Sequence, residues 1–293
     1  MPDGKIMKAL SGFYYVKTER GLYQCRGRGL FRKKKLTPLV GDNVNFDIQE
    51  DNEGYITAIK ERRNELKRPA VANIDQAIIV VSAKEPDFST LLLDRFLVLV
   101  EANDIRPIIF ISKIDKLIDT ELAEIQSYQS IYQKIGYQVE LISAQENKEY
   151  DQLSNYFANK ISVIAGQSGV GKSSLLNRLN PTLEIDTNEI STSLGRGKHT
   201  TRHVELVEIY NGLVADTPGF SSLEFDTLDL QSLPVCFPEI TKRQHDCKFR
   251  GCMHVNEPKC AVKQAVDVNE IALFRYEHYL QFYQEIQSRK PRY

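Results

Sequence analysis

The sequence predicts an α/β protein with a mostly parallel sheet, preceded by a small β-barrel and followed by a short helical segment that carries cysteines. Three observations predict this. Several short runs rich in Val, Ile, Tyr and Phe crowd into fewer than 70 residues at the start. Beyond Arg68-Pro69, apolar runs of strand length alternate with helix-length stretches. After Asp216 the chain turns loop-rich and then cysteine-rich. The expected segments are 1–68, 69–225 and 226–293, and 293 residues are enough for two or three domains.

In the first segment, strands are expected at Ile6 to Val16, Gly21 to Cys25, Leu39 to Ile48 and Tyr55 to Ile59, punctuated by Gly, Asn and Asp. So many short strands suit a closed barrel, and the OB-fold is one such option. Between them runs Arg26-Gly-Arg-Gly-Leu-Phe-Arg-Lys-Lys-Lys35. Six cations, Arg26, Arg28, Arg32, Lys33, Lys34 and Lys35, surround Phe31. Cations can track phosphates while an aromatic ring offers a stacking face, so these seven residues are the candidate RNA contacts.

In the second segment, Ile74 to Ser82, Pro107 to Ser112, Gln138 to Ser143 and Ile161 to Ala165 read as buried parallel strands. Leu91 to Asn103 and Glu121 to Ile135 read as the helices between them. His203 to Tyr210 and Leu213 to Asp216 form a hairpin around Asn211-Gly212.

Gly166-Gln167-Ser168-Gly169-Val170-Gly171-Lys172-Ser173 matches GxxxxGK[ST] in full. It lies between an expected strand and the helix expected over Ser174 to Asn180. Glycines let backbone N–H groups face phosphates, Lys172 neutralises the β/γ-phosphates, and the Ser173 hydroxyl suits Mg²⁺. Asp216-Thr-Pro-Gly219 ends a strand 43 residues after Ser173, where Asp216 suits the Mg²⁺ shell and the Gly219 N–H can sense a γ-phosphate. Between them, Gly195-Arg-Gly-Lys-His-Thr-Thr-Arg202 has the makings of a switch loop, with Thr201 favoured over Thr200 as a metal ligand. Ser112-Lys113-Ile114-Asp115 departs from [NT]KxD only at Ser112. Asp115 would accept from the guanine edge and Lys113 would pack on the ring. Ser143-Ala144 ends the next strand as a backbone contact to the base. Both base-reading elements precede the phosphate loop, so the order is that of a circularly permuted GTPase domain. Phe220 stands where a water-orienting glutamine would follow DxxG, so His199 is the internal candidate for that role.

Cys247, Cys252, His254 and Cys260 follow the spacing C-x4-C-x-H-x5-C. Three thiolates and an imidazole form a closed tetrahedral set, the chemistry of a structural zinc site. A helix is expected over Val268 to Arg289.

Five cysteines are too few for a disulfide scaffold, and no apolar run reaches the roughly 18 residues of a membrane helix. With no signal-like leader, a cytoplasmic protein without a membrane partner is expected. The net charge of −1 hides a pattern. Residues 1–68 carry +6, residues 69–240 carry −11 and residues 241–293 carry +4, so two basic ends flank an acidic centre.

A basic barrel, a permuted GTPase domain and a terminal Cys₃His set together resemble the RsgA (YjeQ/YloQ-type) family, over essentially the whole length. The motifs that carry the resemblance are Ser112 to Asp115, Gly166 to Ser173, Gly195 to Thr201, Asp216 to Gly219 and Cys247 to Cys260. The resemblance implies an OB-fold N-terminal domain, one structural Zn²⁺ and Mg²⁺ with GTP. It implies GTP hydrolysis stimulated by the small (30S) ribosomal subunit and a late role in that subunit's maturation. The 16S rRNA and other assembly factors are its implied partners, and its zinc domain is implied in subunit contact. On this reading nucleotide contacts come from Ser112, Lys113, Asp115, Ser143, Ala144, Gly166 through Ser174, Asp216 and Gly219. Ser173, Thr201 and Asp216 serve Mg²⁺, and His199, Lys172 and Thr201 serve catalysis. No heptad or self-association stripe appears, so a monomer is expected. The alternative is an ATP-using or non-catalytic RNA-binding P-loop protein; Asp115 discriminates against the ATP-using reading, and turnover on adding ribosomal subunits against the non-catalytic one.

Overall fold

The computed structural model describes residues 2–29, 31, 36–49, 52–67, 69–143, 153–180, 182, 204–216, 223–225 and 228–289, with Asp216 described in its backbone only. Its strands in chain order are β1 (Asp3–Leu10), β2 (Phe13–Thr18), β3 (Gly21–Gly27), β4 (Asn43–Ile48), β5 (Glu53–Ile59), β6 (Glu65–Lys67), β7 (Ala70–Ala72), β8 (Gln76–Ser82), β9 (Arg106–Ser112), β10 (Gln138–Ile142), β11 (Ile161–Ala165), β12 (Val204–Ile209) and β13 (Gly212–Asp216). Its helices are α1 (Thr90–Glu101), α2 (Asp119–Ile135), α3 (Lys172–Leu179), α4 (Pro238–Gln244), α5 (Ala261–Asp267) and α6 (Leu273–Gln287).

The chain forms two compact units, Met1–Ile78 with Ala144–Ser222, and Ile79–Ser143 with Leu223–Tyr293. This grouping differs from the three consecutive segments expected from the sequence. Each unit joins part of the α/β region to one flanking segment.

In the first unit, β1 to β5 close a barrel. β1 pairs with β2 and β4, β2 with β3, β3 with β5 in parallel, and β5 with β4. This is an OB-like ring. The single strand expected over Ile6 to Val16 is a hairpin, turned at Ser11 and Gly12, whose φ angles are 50° and 83°. Ile6, Val16, Cys25, Val44, Phe46 and Ile56 fill the interior, with no side chain in water. Tyr23 and Phe46 rings pack there at 5.2 Å. Just before β4, Arg62 forks onto the fully buried Asp42 through Nε–Oδ1 and Nη2–Oδ2 contacts of 2.7 Å each. Such bidentate geometry compensates for the burial of the carboxylate. The β6–β7 ribbon straddles the expected Arg68-Pro69 boundary.

The same unit holds the phosphate-side sheet. β11 runs parallel to β13, and β13 forms an antiparallel hairpin with β12. The hairpin turn uses Tyr210 and Asn211 at φ 47° and 60°. β12 also pairs with barrel strand β1, with Lys8 opposite Glu205. Glu205 in turn lies opposite Asp216 on β13. One row of residues therefore runs from Asp216 through Glu205 to Lys8, and Lys8 Nζ sits 2.6 Å from Glu205 Oε2.

In the second unit, β9 and β10 are parallel, and β8, which enters this unit at Ile79, lies beside β9. Every residue of β8 is buried, and so are six of the seven in β9, as befits strands covered on both faces. α1 starts on Ser89, whose Oγ accepts from Leu92 N at 3.2 Å, and buries Leu93, Phe96, Leu97, Val98 and Val100. Each such side chain stabilises the fold by about 1.5–3 kcal/mol. Val98 joins the core of the C-terminal helices, which includes Phe237, Ile240, Val262, Tyr279 and Phe282. The helix expected over Val268 to Arg289 begins only at Leu273. Asn269 at φ 57° ends the preceding α5, which carries the segment just after Cys260.

A buried ionic cluster fastens these helices to α1. Arg275, with 1% of its side chain exposed, lies 2.6 Å from Asp94 Oδ1 and 2.7 Å from Glu239 Oε1. Asp94 also meets Tyr132 Oη and His278 Nδ1, each at 2.6 Å. Burial works against the Arg275 charge, but the two carboxylates overcome it and hold the guanidinium firmly protonated.

Candidate nucleotide and zinc sites

The phosphate loop sits where the sequence places it, between β11 and α3. Gly166, Gly169 and Gly171 adopt φ values of 142°, 81° and 97°, a backbone closed to other residues without strain. Gly171 caps α3 in the left-handed conformation. Lys172 Nζ folds back over the loop and donates to Gly166 O at 2.8 Å and Gln167 O at 2.6 Å. Burial pulls its pKa down to about 8. The loop thus holds an ammonium against its own carbonyls, and that ammonium gains most from a polyanionic partner. Ser173 is buried in the first turn of α3 and Val170 is buried beneath the loop, while Gln167, Ser168, Gly169 and Ser174 are exposed. Amides at this helix start, together with the helix dipole, favour phosphate. The hydroxyl of Ser173 fits a magnesium ligand held with the nucleotide.

The loop after β9, expected from the sequence to read the base, lies in the other unit. Ser112 is the last residue of β9, and its Oγ donates to Val81 O at 3.1 Å, so this side chain braces the end of β8. Ala83 N donates to Ser112 O at 2.9 Å. Lys113 takes φ 61° and extends to donate to the Glu85 carbonyl, and Lys116 pairs with the Glu85 carboxylate. Asp115 is exposed on the short 3₁₀ turn Ile114–Lys116, open to solvent as a base-reading group requires. Ser143 is buried just beyond β10, whose strand it follows.

The four cysteine and histidine ligands come together. Their donor atoms lie within 4.8 Å of one another. Cys247 Sγ is 3.9 Å from Cys260 Sγ, and His254 Nδ1 is 3.3 Å from Cys260 Sγ and 3.6 Å from Cys247 Sγ. Zn–S bonds of roughly 2.3 Å in a tetrahedron set donors roughly 3.8 Å apart, so the set fits one zinc ion. Burial pushes the Cys252 thiol up to about 12 and raises Cys260 as well, so thiolates here call for a cation. Sequence reasoning missed the groups that hold this knuckle. Glu257 accepts from Met253 N at 2.8 Å and Val255 N at 2.9 Å. Tyr276 Oη donates to His254 O at 2.7 Å, and Tyr279 Oη to Met253 O at 2.5 Å. Only the helical spacing of the two tyrosines hints at this in the sequence. Cys25 and Cys236 lie apart from the cluster, buried.

The basic loop of the barrel departs from expectation. Phe31 is only 7% exposed and lies against Gly27, so its ring packs into the protein and offers no free stacking face. Arg26 caps the Phe13 ring at 4.7 Å, and Arg28 pairs with Asp47. Arg32, Lys33, Lys34 and Lys35 lie outside the described residues. So do Ala144, the loop with His199 and Thr201, and Gly219 with Phe220.

The family model described as RsgA GTPase matches residues 59–226, and the RsgA N-terminal domain matches residues 3–56. The chain belongs to the RsgA GTPase family. Relatives named small ribosomal subunit biogenesis GTPase RsgA include one from Oceanobacillus iheyensis, designated RsgA 2, 63% identical over 293 residues. Another, from Bacillus subtilis, is 57% identical over 298 residues, and both pairs align over 100% of each chain. Among solved structures, YloQ, described as a circularly permuted GTPase, matches with a TM-score of 0.86 and 53% identity over 100% of this chain and 97% of that one. YjeQ from Thermotoga maritima matches with a TM-score of 0.87 and 37% identity over 98% and 99%. The RsgA fold thus accounts for the permuted order, in which β9 with its base-side loop precedes β11 and the phosphate loop.

Proposed function

We propose that this chain is a cytoplasmic GTPase that binds the small ribosomal subunit with its 16S rRNA late in maturation and leaves after hydrolysis. The observation that carries this reading is the phosphate loop, with buried Lys172 and Ser173, in a chain whose exposed Asp115 comes before it in sequence. Segments 1–68, 69–225 and 226–293 act as RNA-contacting barrel, GTPase and zinc module, and a single chain suffices.

The residues divide the work. Lys172 leaves its two loop carbonyls to neutralise β/γ-phosphate oxygens, while loop amides from Gly169 to Ser174 orient them. Lys113 and Asp115, with Ser112, Ser143 and Ala144, select guanine, and the Gly219 N–H senses the γ-phosphate. Ser173, Thr201 and Asp216 would hold Mg²⁺, which supplies charge compensation on the transferring phosphoryl group. His199 positions the attacking water in place of the glutamine that Phe220 replaces. Alone the site turns over slowly, and the subunit completes it. The four zinc ligands hold the C-terminal knuckle rigid and take no part in hydrolysis. Other assembly factors on the subunit are further partners.

Co-sedimentation with purified small subunits tests the cycle. Retention is expected with a non-hydrolysable GTP analogue and release with GDP. Equal retention contradicts it, because a ligand shifts only equilibria it discriminates.

A further inference from the structure

We infer that the zinc loop between Cys247 and Cys252 is a base-stacking element, with Phe249 seating on an unpaired base of bound RNA. This rests on the RNA-binding part of the proposed function and assigns it a specific contact. Phe249 is 44% exposed, a large apolar ring held in water next to a structural centre. Its loop is short and tied at both ends by zinc ligands, so the ring is presented with little entropy left to lose on binding. Gly251 turns the loop at φ 70°, and a Cβ there would meet nothing within 4 Å, so the space beside the tip is open.

Charge identifies the partner. Lys248 and Arg250 flank Phe249, Lys259 lies near in the knuckle, and all three are exposed. Among the described residues none of them forms an ion pair, and Lys248 Nζ instead lies 5.4 Å from the Phe249 ring centroid. Of the nearby acids, Glu257 is taken up internally, and Asp246 is largely exposed. Asp246 faces Arg243 at 3.9 Å, and the Glu257 carboxylate is taken by two backbone amides. A half-exposed ring with Lys248 over one face, and Arg250 and Lys259 outside any ion pair, suits a base flanked by phosphates. The barrel makes the contrast, for there Phe31 is buried and Arg28 pairs with Asp47.

The test measures affinity of the zinc-loaded, full-length protein for purified small subunits, with a GTP analogue, at several salt concentrations. Phe249→Ala is expected to weaken binding about 10- to 100-fold with an unchanged salt slope. Phe249→Tyr keeps binding near wild type, and Phe249→Leu does not restore it. Lys248→Gln with Arg250→Gln lowers the salt slope. Zinc content and GTP affinity of all variants stay at wild-type values, since none of these side chains is a zinc ligand or a nucleotide contact. A photo-crosslinking phenylalanine analogue at position 249 is expected to join rRNA. Wild-type affinity for Phe249→Ala, full rescue by Phe249→Leu, or crosslinks confined to ribosomal protein each overturns the inference. Wild-type protein that binds no subunit at all overturns instead the reading on which it rests.

Discussion

Arg275→Met tests what holds the C-terminal helices to α1. The substitution keeps the volume and apolar stem but removes the one cation between two carboxylates whose side chains are 0% and 9% exposed. Breaking a buried pair by deleting one partner costs about 3–5 kcal/mol, because the remaining charge stays desolvated. Asp94 keeps Tyr132 and His278 at 2.6 Å, whereas Glu239 loses both hydrogen bonds, of 2.7 and 3.2 Å. The loss is therefore expected near the low end, about 3 kcal/mol at neutral pH. That is a large share of the ~5–15 kcal/mol typical of a folded protein. Urea unfolding followed by tyrosine fluorescence reads it, since the chain has 14 tyrosines and no tryptophan. Adding Asp94→Asn and Glu239→Gln to Arg275→Met removes the stranded charges and should recover most of the loss. A cost below about 1 kcal/mol for Arg275→Met, or no recovery in the triple variant, would mean that the buried charges do not fasten these helices.

Further outcomes follow from the two sites. Asp115→Ala should abolish the preference for GTP over ATP in competition binding while leaving inorganic triphosphate affinity intact; retained preference would remove Asp115 from base reading. Lys172 titrates near 8 in the fold against 10.5 unperturbed, so between those values the unfolded chain binds more protons. Its contribution to stability is unfavourable below pH 8 and is relieved as pH rises towards 10.5. Triphosphate binding needs the charged form, so affinity should weaken about tenfold from pH 7 to pH 9, and a flat profile would contradict the buried-lysine account. Cys260→Ser should lower bound zinc from one per chain to none and loosen Tyr276 and Tyr279, seen as a changed tyrosine signal, while GTP binding persists. Full zinc occupancy in that variant would exclude Cys260 as a ligand.

The phosphate loop and the zinc set were legible because each demands particular residues at fixed spacing. Only glycine takes the φ of Gly169 and Gly171 freely, and only Cys and His offer such donors. The parallel strands were legible as unbroken apolar runs, and β11 matches its expected limits residue for residue. Phe31 misled because composition cannot say which way a ring points, and here the barrel buries it. The hairpin at Ser11-Gly12 was hidden by β-forming residues on both sides. Least legible were contacts made only by the fold, namely Lys8 with Glu205, 197 residues apart, and Asp94 with His278, 184 apart. Neither pair carries a local signal, and a surface pair and a buried one look alike in sequence.

A permuted GTPase switched on by one ribosomal subunit has a plain kinetic signature, read as GTP turnover by the purified protein, alone and with isolated small or large subunits, with ATP in parallel. Slow turnover alone, strong stimulation by the small subunit only, and none with ATP are expected. Turnover unchanged by either subunit, or equal with ATP, would contradict such a switch.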